Sequence, residues 1–195
     1  MELVLQLGIG VFSLSSLWFL NLEKGKAFKS GFLVSFITLI SYILMFEGGL
    51  LGVSSSGADL YWTRWFMYGF SCSLLMYTIC QDLKFDREKT MMQIYLTVIV
   101  MMSGALASVM EGFFMLAVFG VSTIAYIMMI APILKSKAKK AKFVKPFILL
   151  GWSIFPIFFI LSPEGYGLIA NVVAAWAYLV LDFGTKIVFY QLDES

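Results

Sequence analysis

Histidine is absent from this chain of 195 residues, and cysteine occurs only twice, as Cys72 and Cys80. Without histidine there is no imidazole base and no histidine-ligated metal, and two lone thiols do not close a zinc site. Both cysteines stand on one apolar segment, about 12 Å apart if it is helical, which is too far for a disulfide. No metal site is therefore expected. A phosphate-binding glycine loop, a serine triad and a hydrolytic carboxylate pair are also missing, so no enzyme chemistry is expected. Charge is scarce too, at 13% of residues against 61% hydrophobic, with a mean hydropathy of +0.90. That balance suits a polytopic membrane protein and leaves no stretch for a water-soluble domain. Only Glu2 is charged near the N-terminus, so a cleaved signal peptide is not expected.

What the chain does contain is apolar runs long enough to cross a bilayer, at roughly 2–22, 31–52, 59–82, 90–110, 112–134, 144–162 and 166–191. They are too long and too evenly apolar for barrel strands. The expected fold is an all-α membrane protein, a seven-transmembrane-helix bundle with short loops, forming one domain over residues 1–195. Twelve of the fourteen basic residues fall in three loops: Lys24, Lys26 and Lys29; Lys84, Arg87 and Lys89; and six lysines from Lys135 to Lys145. The opposite loops hold none. The positive-inside rule then sets the N-terminus outside and the C-terminus inside, which requires an odd number of spans. The lysine run at 135–142 reads as a lipid-facing loop beside a span, so the lipid bilayer is the expected partner and nucleic acid is not. Met110-Glu111-Gly112 joins two spans tightly enough to make them antiparallel neighbours, and residues 48–57, rich in Gly and Ser, form the longest outer loop.

Against this apolar background the buried polar residues stand out. Asp182 and Lys186 lie four residues apart in the last span, about one helical turn, so they share a face and can pair. A lysine at mid-bilayer costs about 2.5–3.5 kcal/mol on insertion scales. An amine taken out of water gives up its proton more readily, and a free amine condenses with an aldehyde to a Schiff base, which Asp182 would neutralise. A purely structural ion pair is the alternative. In the third span Arg64, Met67, Ser71, Thr78 and Asp82 trace one helical stripe. Arg64 should face the interior, where Asp182 is the only mid-membrane carboxylate for it, whereas Asp82 reads as a surface charge and Glu164 as a solvated loop acid. The sixth span sets Trp152, Phe155 and Phe159 on one face, with Pro156 able to kink the helix.

These residues, in this order, resemble the microbial rhodopsin family over nearly the whole chain. Leu181-Asp-Phe-Gly-Thr-Lys186 is similar to the seventh-helix motif, whose lysine binds all-trans retinal as a Schiff base and whose aspartate is the counterion. Trp152-Ser-Ile-Phe-Pro156 resembles the sixth-helix motif that encloses the polyene, and Tyr61-Trp-x-Arg64 the start of the third helix with its gating arginine. The resemblance implies that Lys186 carries retinal and that Tyr68, Cys72, Leu75, Phe119, Trp152, Phe155, Pro156, Phe159 and Thr185 line it. It also implies a multi-pass cell-membrane protein and, as an expectation, a homotrimer.

Departures from the family pattern bear on the subtype. Outward proton pumps carry a carboxylate acceptor where this chain has Met67, a carboxylate donor where it has Thr78, and an outer release carboxylate where it has Ala174. An apolar residue at the acceptor position, then Tyr68, then Ser71-Cys72, resembles the schizorhodopsins and the related Antarctic rhodopsins, which are light-driven inward proton pumps. Schizorhodopsins typically carry a glutamate near the Thr78 position; its absence points to the Antarctic branch and leaves the exit route open. The implied function is inward proton transport, with Asp182 staying ionised under Arg64 and a hydrogen bond from Tyr42 or water, and Ser71 and Cys72 flanking the path. A sensory rhodopsin that signals without pumping, a light-driven chloride pump and a seven-helix transporter without retinal are the other readings.

Overall fold

The computed structural model describes residues 1–54 and 57–194, so the serine tip of the expected outer loop and the last residue lie outside the described residues. Seven helices follow one another: α1 (Glu2–Leu22), α2 (Ser30–Phe46), α3 (Trp62–Asp82), α4 (Arg87–Ala107), α5 (Gly112–Lys135), α6 (Ala141–Leu161) and α7 (Asn171–Asp193). Successive helices from α1 to α5 pack side by side, and α7 closes the ring against α1 and α2. The protein is a helical bundle with the dimensions of a bilayer. Helices α1, α4, α5, α6 and α7 are each long and apolar enough to cross a membrane. Helix α2 is apolar but has 17 residues, about 25 Å, at the short end for a span. Helix α3 has the length, and its arginine, aspartate and hydroxyls dilute its hydropathy.

The second span was expected to run to residue 52, but the helix stops at Phe46, where Gly48 takes a φ of +72° and Leu50 one of +53°. Here β1 (Leu51–Val53) pairs antiparallel with β2 (Asp59–Tyr61), Gly52 opposite Leu60, and the third helix starts at Trp62 rather than 59. Gly52 fits because it lies under the Trp62 indole, which a Cβ would approach to 2.7 Å. The hairpin marks one end of the bundle; the three basic loops mark the other. At the basic-loop end, Glu23 is 1% exposed and accepts the backbone N–H groups of Gly31 and Phe32 at 2.9 Å, capping α2 from the preceding turn. Asp86 caps α4 by accepting from the N–H of Lys89 at 2.8 Å.

Two helices are locally underwound and widened. In α6 the turn Ile148–Trp152 is π-helical, and Ser153 N–H donates to Ile148 C=O at 3.3 Å. Pro156 follows, and its ring would collide with the Trp152 carbonyl in a regular helix, so a widened turn relieves the conflict. In α7 the residues Phe183–Val188 form a second π segment, closed by Phe189 N–H donating to Gly184 C=O. The two wide turns face each other across Gly151, which lets them pack closely: a Cβ there would lie 3.0 Å from Thr185 Cγ2.

Candidate functional site

Lys186 sits inside the wide turn of α7, 1% exposed, and Asp182, fully buried, precedes it by four residues. Nζ of Lys186 lies 2.8 Å from Oδ1 of Asp182, an ion contact in which neither atom has a directed hydrogen bond among the described residues. The other carboxylate oxygen is fully engaged. Tyr68 Oη donates to Oδ2 at 2.6 Å and Tyr42 Oη donates to the same atom at 3.0 Å. Bonds to a charged acceptor are worth about 1.5–3 kcal/mol each, so the phenols fix the carboxylate's orientation. Tyr68 also places its ring 3.9 Å from the lysine Nζ. Tyr42 reaches Asp182 because Gly8 of α1 leaves room; any side chain there would run into the Tyr42 ring.

From Lys186 a cavity of about 320 Å³ extends between the helices. Thr185 and Lys186 of α7 stand at one end, Tyr68, Cys72 and Leu75 of α3 form one wall, and Phe119 comes from α5. Trp152, Phe155, Pro156 and Phe159 of α6 form the facing wall. Phe119 and Phe159 stack on each other with centroids 5.5 Å apart and planes 6° from parallel, so the pair forms one continuous aromatic piece of the lining. The structure thus gathers every residue assigned to the pocket from sequence around one apolar space. Arg64 and Asp182 border it as well. Met67, Ser71 and Thr78 do not: Met67 is half-buried, Ser71 is fully buried, and Thr78 meets Tyr190 Oη at 3.1 Å nearer the basic-loop end.

Several cavity residues were not read from sequence. Ser122, Tyr126 and Met129 continue from Phe119 at helical spacing along α5, a stripe that was legible in principle. Tyr126 Oη meets Ser153 Oγ at 2.8 Å and ties α5 to α6. Gly104 of α4 carries no such signal, yet a Cβ there would lie 2.7 Å from Trp65, so it seats the indole that borders the cavity.

Four expectations are corrected. Arg64 pairs not with Asp182 but with Glu164, Nη1 to Oε1 at 3.7 Å, and lies over the Tyr178 ring at 4.7 Å. Glu164 is no solvated loop acid; it is 7% exposed. The connection between α6 and α7 folds back into the bundle, with Tyr166 N–H donating to Ile160 C=O at 2.8 Å and Gly167 N–H to Ser162 C=O at 2.9 Å. That turn swings the Glu164 side chain inward. Burial pushes its carboxyl above the usual range, and Arg64 offsets only part of the shift. Asp82, expected as a surface charge, has a side chain only 12% exposed and accepts from Lys140 Nζ at 2.8 Å. Lys140, expected to face lipid with its loop, is drawn onto it.

A model of the bacteriorhodopsin-like protein family matches residues 2–193 of the chain. Cruxrhodopsin-1 of Haloarcula argentinensis is 22% identical over 86% of this chain and 75% of its own length, and bacteriorhodopsin-I of Haloarcula marismortui gives the same figures. The crystal structure of schizorhodopsin 4 superposes with a TM-score of 0.93 at 37% identity, covering 99% of this chain and 98% of that one. The thermophilic rhodopsin from Rubrobacter xylanophilus shares the fold, with a TM-score of 0.88 at 23% identity over 100% and 95% of the two chains.

Proposed function

Because the chain belongs to the bacteriorhodopsin-like family of microbial rhodopsins, near the schizorhodopsins, we propose that it holds all-trans retinal on Lys186 and moves protons inward under light. Members of this family are multi-pass proteins of the cell membrane, and they are light-driven pumps or sensors rather than classical enzymes. The cavity fits the group: a buried amine with no directed hydrogen bond borders an apolar cavity lined by aromatic side chains. Trp152, Phe155, Pro156 and Phe159 would pack one side of the polyene, and Tyr68, Cys72 and Leu75 the other. When bound, retinal supplies light absorption and a bond rotation that re-aims the N–H at Lys186.

The direction rests on what surrounds that proton. Oδ2 of Asp182 already accepts two phenol bonds, which occupy the lone pairs that an incoming proton would use. Met67 of α3 offers no base. With both hairpin-side acceptors unsuited, the proton at Lys186 Nζ leaves toward the basic-loop end, past Ser71, Cys72 and Thr78. Glu164 and Arg64, paired near the hairpin end, stand where a replacement proton would enter. The doubly bonded Asp182 is the observation that carries this reading.

The test is the light-induced pH change of a suspension of retinal-supplemented cells expressing the chain, with and without a protonophore. Alkalinisation of the medium that the protonophore abolishes is expected. Acidification would overturn the direction, and a coloured sample without any pH change would point to a sensor.

A further inference from the structure

Helices α3 and α7 are joined at the basic-loop end by two polar rungs about one turn apart. The upper rung is Thr78 Oγ1 with Tyr190 Oη at 3.1 Å. The lower is ionic: Lys140, from the α5–α6 connection, donates from Nζ to Oδ1 of Asp82 on α3 at 2.8 Å and to Oδ1 of Asp193 on α7. Asp82 follows Thr78 by four residues and Asp193 follows Tyr190 by three, so each helix carries both rungs on one face. Two carboxylates share one ammonium, leaving the cluster one negative charge in excess. Both carboxylates are largely buried, at 12% and 7% side-chain exposure, while the lysine, at 45%, reaches solvent. Oδ2 of Asp82 is closed off from solvent and has no hydrogen-bond partner among the described residues.

We propose that this cluster is the proton-release group of the inward path, with Oδ2 of Asp82 as the atom that receives the proton. The inference rests on the inward-transport reading and supplies the exit that the absence of a carboxylate at Thr78 left open. A proton moving from Lys186 passes the Thr78 and Tyr190 hydroxyls and forms an O–H bond at Oδ2, while Oδ1 keeps its bond from Lys140. The cluster goes from one negative charge to none, which a low-dielectric site favours. The O–H bond then breaks toward water at the exposed side of Lys140, and the carboxylate returns with its charge.

The experiment uses the full retinal-loaded chain in liposomes, with a pH-indicator dye on the basic-loop side and flash infrared difference spectroscopy. In the unmodified protein a transient carboxylic C=O band should rise before the dye reports the proton. Asp82→Asn should remove that band and slow release by about a hundredfold, a typical loss for a positioned proton-transfer group. Asp82→Glu should restore both, which a merely structural role would not predict. Asp193→Asn, which makes the cluster neutral, should slow release while leaving retinal colour in place, and serves if Asp82→Asn fails to fold. Inward transport with unaltered release and an unaltered band in both asparagine variants overturns this proposal alone. An unmodified protein that moves no protons inward overturns it together with the reading beneath it.

Discussion

Toward the hairpin end, the interior beyond Lys186 holds Asp182, Arg64 and Glu164 with the phenols of Tyr42, Tyr68 and Tyr178; toward the basic-loop end it holds Leu75, Met76, Ile79 and Phe189. In the first half two buried cations, Arg64 and Lys186, face two buried carboxylates, Asp182 and Glu164, in close pairs. In the second half, past Ser71 and Cys72, the next polar contact between α3 and α7 is Thr78 with Tyr190. Lys186 thus has a cluster of charged groups and phenols on one side and, between α3 and α7, mainly apolar side chains on the other. On the proposed function the difference separates two jobs: the polar half sets charge and orientation in the dark, and the apolar half would control when a proton crosses. It also means that the two halves fail differently when mutated.

The largest break falls at their junction. Lys186→Ala should leave the folded protein unable to hold retinal, and visible absorbance after retinal addition should vanish; retained colour would remove the lysine from its assigned role. Asp182→Asn comes next. It leaves the lysine and two phenols facing a neutral amide, and removing one partner of a buried pair costs about 3–5 kcal/mol. A lowered Tm and a strong colour shift are expected, and a normal spectrum with normal transport would refute the counterion assignment. In the apolar half Ile79→Ala opens a cavity costing about 2–4 kcal/mol. Because that loss is apolar, Tm should fall with little change of colour, and a colour shift as large as that of Asp182→Asn would erase the distinction between halves.

The smallest effect is a pH dependence at Glu164. Its folded carboxyl lies above the ordinary range because of burial, so the folded chain keeps a proton that the unfolded chain has lost above about pH 4.3. The group's stabilising contribution is therefore complete below that pH and is lost as pH rises through the raised folded value. Glu164→Gln cannot titrate. The Tm advantage of the unmodified chain over this variant should shrink as pH rises above about 4.3, and an advantage independent of pH would contradict the raised carboxyl.

Most of the bundle was legible because apolar length and loop charge are one-dimensional signals. The helix count, the Lys186–Asp182 pair and the aromatic wall of α6 all follow from spacing along single helices. What was missed depends on chain reversal or on local irregularity. Glu164 was read as solvated because connections usually run over the surface, and nothing in Ser162-Pro-Glu-Gly165 announces that the turn tucks inward. Asp82 was read as exposed because Lys140, its partner, lies 58 residues away in sequence. The hairpin strands are three residues each, too short for an alternation pattern to register.

The wide turn in α7 has a consequence for phase. On a regular helix the eight steps from Asp182 to Tyr190 would turn about 800°, leaving the two side chains some 80° apart around the axis. If the π segment between them absorbs one residue, seven effective steps turn about 700°, within some 20° of whole revolutions. Asp182 and Tyr190 are indeed both fully buried. The helix thus behaves as two regular rods joined by a one-residue slip, with Lys186 seated at the joint. Straightening that segment with no residue removed would rotate everything beyond it by about 100° and turn Tyr190 away from Thr78, whereas deleting one residue there would straighten the rod and keep its phase.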